Sequence, residues 1–251
     1  MGKPYTIGEP LWTRDEFKSH LKEFAEIYKD RPIEDNKGGM KAAQLFYAWF
    51  AAKKLQPKVI IESGVWYGQG TWVFEQAVPG VELHCIDPVN YYEEGYKSDN
   101  AKYYTKDFRV LDWKGIDIEN TLCFFDDHQD AMQRLMDCYM WGFKKIMFED
   151  NYPPGQGDCY SLKKGFHESE TRHMLPGLKV SDYLNQVIEK YFEFPPISKA
   201  DKNRWGQPWD HHDIDEQLLE NVIEEYQEIY LEEAVNYTWI NYLELNQEQR
   251  T

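Results

Sequence analysis

The chain has 251 residues, 42% hydrophobic and 16% aromatic, which suits one large domain with a sizeable core. A formal net charge of −16 sets it against nucleic acid phosphates and anionic membrane surfaces. It leaves room for a small anionic ligand, which backbone N–H groups at a helix start bind locally. The cysteines Cys85, Cys123, Cys138 and Cys159 form no C-x-x-C pair and read as reduced thiols of a cytoplasmic protein. The first residues lack the apolar core of a signal peptide, and no apolar run approaches the roughly 20 residues of a membrane span. Thr6 fits a myristoylation pattern whose chance rate is high, so it carries no weight.

In chain order, "TRDEFKSHLKEFAEIYKD" predicts an amphipathic helix with Thr13 as N-cap and Phe17, Leu21, Phe24 and Ile27 on one face. "RPIEDNKGG" is a turn-rich loop, and "MKAAQLFYAWFAAKKL" a more apolar helix ended by Gln56-Pro57. "KVIIES" reads as a buried parallel strand, "TWVFEQAV" as a helix and "VELHCIDP" as a strand. "NYYEEGYKSDNAKYY" is polar, aromatic and expected to be mobile, and "FRVLDWKGID" has no clear pattern. "TLCFFDDHQ" is a strand, "DAMQRLMDCYMWG" a helix closed by Gly142, and "KKIMFEDNYPPGQGD" a strand running into a Pro/Gly loop. Beyond it, "SDYLNQVIEKYFEFPP" is read as a helix, "QLLENVIEEYQEIYLEE" as an acidic helix and "TWINYLEL" as a late strand, of the antiparallel edge type common in doubly wound sheets. No repeat, low-complexity segment or linker divides the chain. A single domain over 1–251 follows, with a helical cap at 1–56, a core at 57–160 and substrate-side elements at 161–251.

Strands alternating with helices mean an α/β domain with a mostly parallel, doubly wound sheet. In such sheets ligands bind beyond the carboxyl ends of the strands. Four predicted strands end in carboxylates: Glu62, Asp87, Asp126-Asp127 and Glu149-Asp150. Their convergence is the best functional signal in the chain.

The first of these ends lies in "VIIESGVWYGQGT". Its glycines, Gly64, Gly68 and Gly70, do not fit G-x-G-x-x-G, so the usual dinucleotide fingerprint fails. What remains is an acidic residue, x, Gly, x, x, x, Gly after a strand. This resembles motif I of class I S-adenosylmethionine (SAM) methyltransferases, and more closely the "ETGVWRGG" type of macrocin O-methyltransferase-like and cephalosporin hydroxylase-like proteins. The resemblance covers about Val59–Tyr152 and rests on short motifs. It implies a Rossmann-like class I methyltransferase fold with N-terminal helices and C-terminal additions. It also implies a cofactor edge built from Glu62, Gly64, Val65, Trp66 and Gly68, with Asp126 nearby. In the resembled fold the acid ending the second strand, here Asp87, receives the ribose hydroxyls of SAM. A carboxylate suits that task because its two oxygens accept two O–H donors. An Asp-Pro turn is the plainer account of Asp87 alone.

"CFFDDHQD" and "MFEDNYPPG" bring hard oxygen donors to neighbouring strand ends, as Mg2+ favours. The pair resembles the Mg2+ site of catechol-type O-methyltransferases. That resemblance implies Asp126, Asp150 and Asn151 as ligands, with Asp127 in place of Asp126 if the register differs by one. Helix capping by Asp127 or Asp130 explains one Asp but not two acidic clusters. The catalytic lysine of the catechol-type pattern is absent from "HQDAMQ", which leaves His128 or Asp127 as the base. "WDHHDID", with His211, His212, Asp213 and Asp215, reads more readily as a helix start than as a metal cluster. Gly38-Gly39 lies where a cofactor lid would sit, and equally where a plain interhelical loop would.

Together these features predict a SAM-dependent, Mg2+-dependent O-methyltransferase acting on a hydroxyl of a sugar or other polyhydroxylated small molecule, from a surface-glycan or natural-product pathway. Its partners are then a small-molecule or glycan acceptor, with no nucleic acid and no membrane span, and homo-oligomer formation is left open. The alternatives are a non-catalytic binding protein retaining the fold, and a hydrolase or hydroxylase using the same acidic metal site without SAM. Calorimetry with SAM and S-adenosylhomocysteine, with and without Mg2+, tests the first reading, which falls if neither binds; binding without any loss in Asp87→Ala would overturn the cofactor assignment.

Overall fold

The computed structural model describes residues 5–170, 177, 179–204, 206, 208, 215–220, 225–232 and 234–247. Helix α1 (Arg14–Lys29) begins where predicted, with a reciprocal capping box between Thr13 and Glu16. It buries Phe17, Leu21 and Phe24 against α2 (Ala42–Leu55). Leu45, Phe46, Trp49 and Phe50 of α2 are all enclosed, as its nearly uniform apolar character demands. Strand β1 (Val59–Ser63) is buried along its whole length and leads through the glycine turn into α3 (Gln69–Ala77). Then come β2 (Glu82–Ile86), β3 (Ala101–Tyr104) and β4 (Thr121–Phe125). Helix α4 (Ala131–Trp141) is capped by Asp130, whose Oδ1 accepts from the N–H of Met132 at 2.9 Å, and is closed by Gly142 in the left-handed region. Strand β5 (Lys145–Phe148), the short helix α5 (Leu162–Phe166), α6 (Val180–Val187), β6 (Ile188–Glu193), α7 (Glu225–Glu232) and β7 (Asn241–Leu245) complete the chain.

The seven strands form one sheet in the order β3-β2-β1-β4-β5-β7-β6. Strands β1 to β5 pair in parallel, and β7 runs antiparallel between β5 and β6. Helices α1, α2 and α3 contribute to the core on one face, and α4, α5 and α6 to the core on the other. This is the Rossmann-like, doubly wound, mostly parallel α/β arrangement expected from the sequence. Strand β1 has β2 on one side and β4 on the other, so the order reverses there. That reversal opens a crevice at the carboxyl ends of β1, β2 and β4. Among the described residues no helix is long and apolar enough to cross a membrane.

Three local expectations are corrected. The helix read over "SDYLNQVIEKYFEFPP" stops at Val187, and Ile188–Glu193 becomes a strand because β7 supplies its backbone partners. Val180, Leu184 and Val187 do follow the helical period, so pairing in the sheet overrides local pattern only beyond them. The stretch "NYYEEGYKSDNAKYY" is ordered: it ends in β3, Tyr92 stacks on Tyr103 at 4.3 Å, and Tyr96 donates to Glu75 at 2.6 Å. The late strand β7 is antiparallel as expected, but it lies inside the sheet rather than at its edge. Of the acidic helix read over 217–233, Glu225–Glu232 is helical and 221–224 lie outside the described residues.

Candidate active site

The turn after β1 is built for close approach. Gly64 has φ +94°, and a Cβ placed on it would sit 2.0 Å from the carbonyl oxygen of Asp126. Gly68, at φ +87°, passes equally close to the carbonyl of Tyr96. Neither position accepts a side chain. Trp66 between them is itself left-handed, at φ 51°. Asp87, at the end of β2, holds this turn in place. Its Oδ2 accepts from the backbone N–H of Val65 at 3.0 Å and of Trp66 at 2.9 Å, and its Oδ1 from Val89 at 2.9 Å. Two exposed rings, Trp66 and Tyr91, meet at 4.8 Å, and the Trp66 indole N–H donates to the carbonyl of Lys37 at 2.9 Å.

A cavity of about 380 Å³ occupies the crevice. It is lined by Gly64, Trp66 and Asp87 from the ends of β1 and β2, and by Asp126, Asp127 and His128 from the end of β4. Gly38 and Gly39 also line it, so the loop before α2 borders the same space. The volume lies in the range of small-molecule sites.

Glu62 is placed otherwise. It is fully buried and does not line the cavity. Thr71 donates its hydroxyl to Oε2, and the Cys85 thiol approaches the same oxygen at 3.6 Å. Burial pushes its carboxyl up to about 8. Hydrogen bonds from Thr71 and Cys85 oppose the shift, while the charges of Asp87 and Glu75 add to it. Glu62 therefore supports the turn and the start of α3 from below.

The second half of the site is an acidic cluster. Asp126, His128 and Asp150 each offer a donor atom within 4.8 Å of the others. The His128 Nδ1 lies 3.2 Å from Asp150 Oδ2 and 3.0 Å from Asp158 Oδ1. Asp150 is 7% exposed; its Oδ2 faces the His128 ring, and its Oδ1 has no hydrogen-bond partner. Burial, with the charges of Asp150, Glu62 and Asp127, raises the Asp126 carboxyl well above the usual range. Burial and the charges of Asp150 and Asp126 do the same to Glu149. Burial pulls His128 down, but Asp150 and the hydrogen bond to Asp158 outweigh it and hold the imidazole pKa raised. Excess buried negative charge with an orphaned oxygen is the environment that a divalent cation satisfies. The donors present fit such an ion.

Asn151 does not join them. Its Oδ1 accepts from the Lys163 backbone N–H at 3.0 Å, and its Nδ2 donates to Tyr191 at 2.8 Å and to the Trp239 carbonyl at 3.2 Å. Successive side chains at a strand end leave on opposite sides. Asp150 thus faces the cluster, while Asn151 faces the buried Lys163–Glu193 pair, 2.9 Å apart. His128 stands where the sequence reading put Asn151.

Asp127 lines the cavity, but both its oxygens already accept hydrogen bonds. Oδ2 takes Ser63 at 2.6 Å and Arg134 Nε at 2.9 Å, and Oδ1 takes the Gln129 N–H at 3.2 Å. It is placed as a fixed anchor rather than as a proton acceptor. Arg134 and Asp107 are the residues the sequence reading missed. The buried Arg134 guanidinium grips Asp107 with two bonds, at 2.9 and 2.6 Å, and so ties the loop after β3 to the loop after β4. A signal for it was present: Arg134 shares the apolar face of α4 with Ala131, Leu135 and Cys138. His211, His212 and Asp213 lie outside the described residues. Asp215 forms an ion pair with Arg14 at 2.9 Å, away from the cluster.

No family model and no curated protein matches the chain. Solved structures similar to it include a methyltransferase from Podospora anserina bound to S-adenosylhomocysteine, 16% identical over 71% of this chain and 84% of that one, with a TM-score of 0.41. Another is an O-methyltransferase of tomaymycin synthesis from Streptomyces achromogenes in complex with SAM, 15% identical over 57% and 67%, with a TM-score of 0.38. A third is a tRNA (m1A58) methyltransferase from Aquifex aeolicus, 10% identical over 90% and 76%, with a TM-score of 0.46. At such identities and scores the likeness leaves the activity to be argued from the site itself.

Proposed function

We propose that this chain is a SAM-dependent O-methyltransferase that methylates a hydroxyl of a sugar or other polyhydroxylated small molecule beside a hard divalent cation, of which Mg2+ is the type. One observation carries the reading. Asp126 and His128 line the large cavity and also belong to the acidic cluster, so the cofactor space and the cation donors share one wall.

In this reading the turn at Gly64–Gly68 and Asp87 bind the cofactor, and Asp87 also fixes the backbone on which it lies. The Asp126 and Asp150 carboxylates would hold the cation. Such an ion, when bound, lowers the pKa of a coordinated hydroxyl and fixes its position. Asp158 accepts from His128 Nδ1, which leaves Nε2 as the proton-accepting nitrogen. His128 then serves as the base that takes the hydroxyl proton. Arg134 holds Asp107 and Asp127 so that the loops after β3 and β4 keep their spacing. Transfer from a sulfonium methyl is an in-line displacement, so this positioning supplies much of the rate.

The test is calorimetry of the full chain with S-adenosylhomocysteine, with and without Mg2+ or Mn2+. Binding that Asp87→Ala abolishes supports the cofactor assignment. No binding of SAM or S-adenosylhomocysteine under any condition sinks the methyltransferase reading. Turnover that survives both EDTA and Asp150→Ala sinks the cation role alone.

A further inference from the structure

Within the acidic cluster lies a space of about 10 Å³, lined by Asp126, Asp127 and His128 and also by Asp150 and Cys159. It has room for one water or one ion. The Cys159 Sγ and one carboxylate oxygen each of Asp150 and Asp158 lie within 4.8 Å of one another. Asp150 offers one oxygen to this group, its side chain is over nine-tenths buried, and its Oδ1 has no hydrogen-bond partner. The Asp158 side chain is 71% exposed, so the group opens to solvent through it. Cys85, Cys123 and Cys138 belong to the two hydrophobic cores, Cys85 with the Glu62 carboxylate beside it, whereas Cys159 belongs to neither core and borders two carboxylates.

This donor set differs in kind from that of the inner centre. Asp126 and Asp150 offer hard oxygens. Asp150, Asp158 and Cys159 offer two oxygens and a sulfur. A thiolate selects borderline and soft cations, Zn2+ above all, and has little attraction for Mg2+. Three protein donors leave a fourth tetrahedral position for water.

We propose that Asp150, Asp158 and Cys159 form a second cation site, specific for thiophilic divalent ions of the zinc class, at the outer edge of the acidic centre. On binding, the Cys159 S–H bond breaks, an Sγ–metal bond forms and the proton leaves to solvent, with no change of oxidation state. An ion held there takes Asp150 from the inner cation and Asp158 from His128, so it inhibits. That consequence rests on the proposed function, whereas the binding itself does not.

The experiment uses the full chain and Co2+ as a spectroscopic probe for the zinc class. A thiolate-to-cobalt charge-transfer band in the near ultraviolet is expected, lost in Cys159→Ser. Asp158→Asn, at an exposed position, is expected to weaken Co2+ binding by at least about tenfold. Mn2+ binding, followed by electron paramagnetic resonance, is expected to survive Cys159→Ser. No Co2+ binding, Co2+ binding without the band, or a band that persists in Cys159→Ser overturns the proposal. If Cys159→Ser does not fold, as judged by circular dichroism, undiminished Co2+ affinity in Asp158→Asn overturns it instead. Should the band appear while neither Mn2+ nor Mg2+ binds, the second site stands and the inner cation centre falls.

Discussion

Gly64 and Asp126 meet backbone to backbone, so closely that a Cβ on the glycine would lie 2.0 Å from the Asp126 carbonyl oxygen. One belongs to the turn after β1 and the other to the end of β4. Their contact joins the two halves of the site without a side chain between them. The same glycine donates its N–H to the Ile86 carbonyl at 2.9 Å, just before Asp87. Three strand ends are therefore gauged from one residue.

Gly64→Ala should fail for two separate reasons. Alanine at φ +94° is strained, and its methyl group would drive the turn off β4. A loss of at least about 2 kcal/mol in urea unfolding is expected, with S-adenosylhomocysteine binding lost under conditions where the variant remains folded. Wild-type affinity in this variant would mean that the turn does not form the cofactor edge.

Asp150→Asn should have opposite effects with and without metal. Asp150 is among the charges that raise Asp126 and Glu149, so removing it relieves repulsion in the cation-free chain. With EDTA the variant should melt roughly 2–4 °C above wild type. With excess Mn2+ only wild type should gain stability, because only its folded state binds the ion. Paired melting curves test both signs. A variant that gains as much from Mn2+ as wild type does would remove Asp150 from the cation site.

The sequence already showed much of this site because its residues lie at strand ends, where pattern and chemistry coincide. Asp87, Asp126 and Asp150 each follow an apolar run, and the structure brings all three to one edge. Asn151 misled because a single residue step at the end of β5 turns a side chain to the other face. Only the fold reveals that Lys163 and Tyr191 wait there for it. Strand β6 was hidden for a related reason. Its partner β7 lies more than forty residues downstream, and no local period announces that pairing. Arg134 was legible as an odd residue on an apolar face, but its partner Asp107 lies across a loop with no regular pattern.

Arg134→Met should loosen the loops after β3 and β4 at once. It leaves Asp127 largely buried without its cation, while Asp107 is half exposed and gains water. The cost should be about 3 kcal/mol, at the low end for a broken buried pair. S-adenosylhomocysteine affinity should fall with it. Arg134→Lys keeps the charge but not the fork, so it should recover part of the stability and less of the affinity. Equal recovery of both would show that Arg134 acts through charge alone.

Glu62 sets a pH dependence whose sign follows from its environment. Its carboxyl titrates near 8 in the folded chain, against an ordinary value of 4.5. Between those two values the folded chain keeps a proton that the unfolded chain has released. Stability from this group is complete below the unfolded value and is lost as pH rises through the folded one. Glu62→Gln keeps the shape and the acceptor for Thr71 but cannot ionise. Wild type should therefore lose stability relative to the glutamine variant between pH 5 and 9, by on the order of 4–5 kcal/mol at most. Urea unfolding of both proteins at pH 5, 7 and 9 gives the difference directly. A gap that stays constant over that range would show that Glu62 is ionised in its buried place, and its support of the turn would then have to be a charged one.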